Sequence, residues 1–290
     1  MSENRLAAVG FHSGELAVQD RAGVRAYAQR LASMAARGRL SAGTAALLSS
    51  ARLAVVTARD GDGRLWTSPL VGQPGFLAAA APTTLRIQGG VADVDPLHGM
   101  LAGQPVGVVA IDFAARRRLR VNGVLTHADS AGLVLEVDQA YGNCPKYIEP
   151  RLPAMPAGSA AAVFDGSALR PAERVLIEGA DTFFLGTAHP TSGNDASHRG
   201  GPAGFVRVDD GRLSWPDYPG NNLFNSLGNI AVDPATALLF LDFVTGAAVQ
   251  LSGTAALEWS VSDVQEAERS VVFTPERVLT TTNRIRVTAS

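Results

Sequence analysis

Residues 194–208, NDASHRGGPAGFVRV, bring a hydroxyl, an imidazole, a guanidinium and two glycines into immediate succession. Arg199 offers a rigid fork of N–H donors suited to phosphate oxygens. Ser197 can donate through its hydroxyl. His198 has the best local setting of the five histidines for ligand contact or proton transfer. Gly200 and Gly201 could let backbone amides approach an anion. A polar surface turn would use the same residue types. A second segment, WPDYPGNNLFNSLGN (215–229), holds Asn221, Asn222, Ser226 and Asn229. Those side chains recognise polar groups without adding net charge, and Trp215 and Tyr218 could cover a flat ring.

Two further segments carry cations. In ARRRLRVNG (115–123), strand alternation places Arg116, Arg118 and Arg120 on one face. That face is either solvated, or it lets Arg118 or Arg120 reach a phosphate or an acidic substrate. Arg286 is a weaker candidate of the same kind. In QAYGNCPKYIEPR (139–151), Lys146 could meet an anion, and Tyr141 or Tyr147 could stack on an aromatic ring. Cys144 would react only if exposed with its thiolate stabilised. Histidines are dispersed, with no HExxH pattern and no compact carboxylate set, so no metal site is expected. GxSxG, Walker A and GxGxxG motifs are also absent.

The elements that must position these groups are short. The chain has 290 residues, 46% of them hydrophobic and 18% charged, with a net charge of -2. This is ordinary globular material with no general attraction to nucleic acid or an anionic membrane. No stretch reaches the roughly 18 apolar residues of a membrane span, and no apolar signal core follows the first methionine. A cytoplasmic location is expected. One cysteine excludes an internal disulfide.

Apolar residues at Val24, Tyr27, Leu31 and Met34 predict a helix with Asp20 as its cap. Ser41 caps a second helix to Leu48. Strands are expected at 52–58, 66–71, 75–79, 84–87, 106–113, 119–125 and 133–137, with a short helix over 95–103. After a Pro/Ala/Gly-rich stretch, strands recur at 182–187, 203–208, 212–215, 237–243, 247–257, 270–278 and 284–288. Residues 189–201 read as a long polar turn, and Ser262 with Gln265 as a capping box.

The two runs repeat one plan. GVVAIDFAARRRLRVNG (107–123) aligns with ALLFLDFVTGAAVQLSG (237–253), pairing Asp112 with Asp242 and Gly123 with Gly253. Ser68-Pro69-Leu70-Val71 then falls opposite Ser197-His198-Arg199-Gly200, so the second copy is the better anion site. Many short strands and few crossovers predict a mainly β chain of barrels with peripheral helices. The expected division is a helical segment 1–48, a first barrel 49–150, a linker or crossover 151–174 and a second barrel 175–290.

Taken together, FHSGELAVQDRAG (11–23), 95–123, 139–151, DASHRGGPAGFVRV (195–208) and 220–243 resemble the pyridoxamine 5'-phosphate oxidase-like flavin-nucleotide-binding family, two-barrel branch. The resemblance implies tandem split barrels forming an internal pseudo-dimer, with FMN at their seam. A further homodimer of whole chains is compatible with it. Carried onto matching positions, Ser197, His198, Arg199 and Gly200 approach FMN from one strand-turn. Asn221, Asn222, Ser226 and Asn229 line its phosphate or ribityl region. Arg118 reaches in from the companion barrel, with Arg120, Lys146 and Tyr147 nearby. The family's Arg-Lys phosphate pair is replaced here by Asn221-Asn222, and its late Trp and Arg-x-His pattern is missing, against pyridoxamine phosphate as substrate.

The expected function is an FMN-dependent oxidoreductase with a small-molecule or protein redox partner. His198 is the one weak catalytic candidate. The alternatives are a flavin carrier or sensor without turnover, and a haem protein ligated by His12 or His198.

Overall fold

The computed structural model describes residues 10–35, 38–143, 145–154, 159–259, 267–282 and 285–287. Cys144, Ser262, Gln265, Asn283 and Arg284 lie outside these, as do the side chains of Met34 and Arg286. Among the described residues, no helix is long and apolar enough to cross a membrane.

Three helices open the chain: α1 (Ser13–Arg21), α2 (Arg25–Ala35) and α3 (Ala42–Ser50). Seven strands follow: β1 (Leu53–Arg59), β2 (Leu65–Val71), β3 (Leu77–Ala81), β4 (Thr84–Gln88), β5 (Pro105–Asp112), β6 (Arg117–Asp129) and β7 (Gly132–Gly142). Their order across the first sheet is β2-β1-β5-β6-β7-β4-β3. Short β8 (Pro153–Ala154), β9 (Ala161–Gly166) and helix α4 (Pro171–Gly179) come next. The second sheet uses β10 (Thr182–His189), β11 (Gly193–Gly200), β12 (Arg207–Asp209), β13 (Arg212–Pro216), β14 (Ala235–Leu241), β15 (Ala248–Trp259) and β16 (Arg269–Thr282). Helix α5 (Asn225–Val232) precedes β14, and β17 (Arg286–Val287) pairs with β8. The second order is β11-β10-β14-β15-β16-β13-β12, the same path as the first. The chain is thus a tandem of mainly β split barrels, antiparallel throughout the paired strands.

The repeated glycine has a physical reason. Both long hairpins shift register there, between Asn122 and Gly123 and between Ser252 and Gly253. A Cβ on Gly123 would sit 2.0 Å from the Glu136 carbonyl oxygen, and one on Gly253 2.1 Å from that of Thr274. Each bulge bends its strand at the same point of the barrel.

Each barrel has its own apolar core, the first including Val56, Leu85 and Val121, the second Phe183, Trp215 and Phe273. A third cluster joins them: Leu53, Val55, Val109 and Phe113 pack with Phe184, Leu239, Leu241 and Phe243. These residues alternate with core-facing ones along β1, β5, β10 and β14. Both faces of those strands are therefore buried, one inside a barrel and one against the other barrel.

Several local expectations are corrected. Asp20 lies inside α1 and accepts from Arg25 Nη1 at 2.6 Å instead of capping. Helix α1 is itself capped by His12, whose Nδ1 accepts from the Gly14 and Glu15 amides while Glu15 Oε2 accepts from the His12 amide. Residues 95–103 form turns without a helix, because Gly99 (φ +72°) and Gly103 (φ +92°) break the path. Residues 193–200, within the expected polar turn, are strand β11, whose polar side chains are buried between barrels. Trp215 lies in the second core, where no ligand ring can reach it. Arg116 adopts φ +52° in the turn before β6, so it does not share a strand face with Arg118 and Arg120. Within 151–174, residues 161–166 pair with β16 and residue 171 starts α4.

Candidate functional site

A cleft opens where β6 and β7 of the first barrel meet β11 and the 216–227 segment of the second. Its lining includes Arg118, Arg120, Lys146, Tyr147, His198, Arg199, Gly200, Asn221, Asn222 and Ser226. Strand alternation aims Arg118 and Arg120 from β6, and the segment 145–147 supplies Lys146 and Tyr147. Ser197 and Asn229 are not in the lining. Ser197 is buried behind the cleft within reach of Ser226, with the two Oγ atoms 3.2 Å apart. Asn229 sits one helical turn deeper, donating to Thr187 Oγ1 at 3.0 Å and facing His12.

Buried pairs hold the cations. Arg120 Nη1 donates to Asp195 Oδ2 at 2.9 Å, and also to Ser226 Oγ at 3.2 Å. Burial works against the Arg120 charge, but Asp195 and Tyr141 more than offset it and raise its pKa. Arg199 Nη1 donates to Asp217 Oδ1 at 2.9 Å, and Arg269 Nε donates to Asp217 Oδ2 at 2.8 Å. Burial lowers the Arg199 pKa, with Asp217 opposing the shift. Arg118 Nη1 lies 2.6 Å from His198 Nδ1 and donates to the His198 carbonyl at 3.2 Å.

That contact decides the role of His198. A guanidinium can only donate, so Nδ1 must be the acceptor and Nε2 must carry the hydrogen, facing Thr182 Oγ1 at 3.4 Å. Burial, then Arg118, Arg151, Arg199 and Arg120, holds its pKa well below the ordinary value. His198 is therefore a neutral acceptor that positions Arg118. It is unsuited to donate a proton at neutral pH, which corrects the catalytic expectation. Both histidines named as haem-ligand candidates have their ring nitrogens in protein contacts. His12 Nδ1 caps α1 and its Nε2 meets Asn229 Oδ1 at 3.1 Å.

Gly200 also has a different task from the one expected. A Cβ there would lie 2.1 Å from the Tyr147 carbonyl oxygen, so this glycine lets the first barrel's chain cross β11. The Gly201 amide donates to the Asp181 carbonyl at 3.0 Å and is not open to an anion.

What the cleft offers a ligand is donor capacity. Arg120 Nε, Arg199 Nε, Asn143 Nδ2 and Tyr147 Oη are buried without a hydrogen-bond partner, and all four residues line it. Unmet buried donors are costly, so four around one cleft mark a place for an acceptor-rich molecule. Four basic side chains line it against one acidic, Asp217, among the described residues. Tyr147 stacks on Tyr218 with centroids 5.2 Å apart. Tyr147 (φ +69°), Asn222 (φ +58°) and Phe224 (φ +59°) are left-handed, and all three line the cleft. Such backbone costs about 1–3 kcal/mol per residue and gathers at ligand sites.

At the related seam on the opposite side of the pseudo-dimer the matching positions are buried and carry none of these cations. Strand register places Gln250 where Arg120 stands, Ala248 for Arg118, Pro69 for His198 and Leu70 for Arg199. Gln250 Nε2 donates to the Thr67 carbonyl at 3.1 Å and to Ser68 Oγ at 3.0 Å. Leu70 and Leu279 join one buried apolar cluster.

Two groups at the start of α1 titrate away from their ordinary values. Burial pushes the Glu15 carboxyl up to about 7, and burial, helped by His189, pulls His12 down to about 4. Glu15 ionises near 4.5 in the unfolded chain, so between 4.5 and 7 that chain binds fewer protons and stability falls as pH rises. His12 acts oppositely: between about 4 and 6.5 the unfolded chain binds more protons and stability rises with pH. Glu15→Gln removes only the first slope. In denaturant melts, its stability relative to wild type should grow by on the order of 3 kcal/mol from pH 4.5 to 7.

Residues 169–282 match the family model of pyridoxamine 5'-phosphate oxidase. No curated protein matches. Among solved structures, a putative pyridoxamine 5'-phosphate oxidase from Lactobacillus delbrueckii is similar at 17% identity (TM-score 0.33; 40% of this chain, 97% of that one). The FAD binding protein from Mycobacterium smegmatis is similar at 12% (0.29; 42% and 97%). HutZ, the haem storage protein from Vibrio cholerae, is similar at 11% (0.30; 39% and 93%).

Proposed function

We propose that this chain, whose second barrel resembles pyridoxamine 5'-phosphate oxidases, is an FMN-binding flavoprotein that serves as an oxidoreductase. The observation that carries the reading is the set of four buried, unmet donors around a cleft rich in cations. A phosphate, a ribityl chain and pyrimidine carbonyls supply the acceptors such donors lack. Arg199 and Arg118 hold the phosphate charge, Asn221, Asn222 and Ser226 bind hydroxyls, and Tyr147 with Tyr218 covers a ring face. Bound FMN supplies the electron-transfer chemistry. The protein's residues bind, orient and exclude water. His198 fixes Arg118, and a small-molecule or protein redox partner completes the reaction.

Freshly purified protein should carry a yellow chromophore that is released on denaturation with the mass of FMN. Folded protein that neither carries FMN nor takes it up overturns the reading. FMN uptake without turnover across varied reductants and acceptors would instead make the protein a flavin carrier or sensor.

A further inference from the structure

The cleft between the barrels is too small for a flavin as it stands. Its free volume is about 100 Å³, against roughly 300–1,000 Å³ for small-molecule sites. A ligand of that size enters only if part of the wall moves. Five consecutive residues of the wall, 218–222, belong to the connection between β13 and α5, and all five line the cleft.

This connection is firm at its ends and light in its middle. At one end, Asp217 accepts from Arg199 at 2.9 Å and from Arg269 at 2.8 Å. At the other, Leu223 is buried and its carbonyl accepts from Gln19 Nε2 at 3.1 Å. Between these anchors, the backbone of 219–222 makes no hydrogen bond to another backbone group among the described residues. A stretch without such bonds opens at low cost. A Cβ on Gly220 would meet nothing closer than the Tyr218 carbonyl oxygen at 4.0 Å, so close packing does not pin that point.

Two contacts without an ion pair fasten the middle to the first barrel. Asn221 Nδ2 donates to Asn143 Oδ1 at 2.8 Å. Tyr218 stacks on Tyr147, with 5.2 Å between centroids and 23° between planes. Both contacts bridge the two sides of the cleft, and neither has the strength of the charged pairs that hold Asp217.

We propose that 218–222 is a strap that must lift for FMN to enter, latched by the Asn221–Asn143 bond and the Tyr218–Tyr147 stack. This rests on the flavin reading and adds a gate to it: lifting of the strap sets the speed of binding.

Stopped-flow quenching of flavin fluorescence on the ligand-free full chain separates association from dissociation. Unlatching a gate speeds association, whereas losing a ligand contact mainly speeds dissociation. Asn143→Ala and Tyr218→Leu should each speed FMN association at least fivefold. Both changes leave the net charge unaltered, so electrostatic steering of the anion stays the same. Ser226→Ala, which removes a proposed ligand contact outside the strap, should speed dissociation with association unmoved. Thermal melts establish that the variants are folded, and either latch variant serves where the other does not fold. FMN association no faster in the folded latch variants overturns the strap while the flavin reading stands. Absence of quenching in folded wild type and variants alike overturns both.

Discussion

Asp195→Ala should lower stability by about 3–5 kcal/mol, the cost expected when a buried ion pair loses one partner. In a chain of this size that is a fall in melting temperature on the order of 10 °C. Asp195 is buried, and its carboxylate accepts from Arg120 and Asn122 of the first barrel and from Ser226 of α5. It is therefore the point where β6, β11 and α5 are tied together. Removing it takes away the main support for the buried Arg120 charge, yet a guanidinium does not give up its proton in a protein, so a charge is left buried without its carboxylate. Adding Arg120→Met should recover most of the loss, since the uncompensated charge goes too. The mirror position offers an internal control. There Gln250, a neutral donor, makes the equivalent inter-barrel link to Ser68, so Gln250→Met should cost only about 1–3 kcal/mol.

Arg199→Ala and Arg118→Ala should each weaken FMN binding by about 10- to 100-fold, the worth of a charge-assisted hydrogen bond. The pair together should abolish measurable uptake. The cost to folding is smaller than for Asp195, because Asp217 keeps Arg269 when Arg199 is removed. Thermal melts of Arg199→Ala should thus stay near wild type while fluorescence titration of FMN shifts strongly. Unaltered FMN affinity in both single variants would place the anion site elsewhere.

Much of this arrangement was legible in the residues. The 107–123 and 237–253 repeat reads directly as one strand order used twice, because Asp-Phe, a turn and a bulge glycine recur together. Arg118 and Arg120 were found by strand alternation, a purely local rule. Strand β11 was not, because its buried Asn194, Asp195, Ser197 and His198 are polar. Their burial comes from a second barrel covering the outer face, and hydropathy along one strand cannot register that. Asp195 and Asp217 went unnoticed for a related reason. A carboxylate beside an anion site looks adverse until the arginine it offsets arrives from a distant strand. His12 as a helix cap was missed because imidazole is an uncommon cap, although Glu15 stands at the capping-box spacing. The family resemblance puts Asn229 beside the ligand together with Ser226. The extra turn of α5 instead carries it to α1.

The contrast between the two grooves gives the most direct test of one acceptor-hungry seam per chain. Equilibrium titration of ligand-free protein with FMN, followed by quenching of flavin fluorescence, should saturate at one equivalent per chain. Saturation at two equivalents would contradict the buried, cation-free seam around Gln250 and Leu70, and no quenching at all would contradict the donor-lined cleft itself.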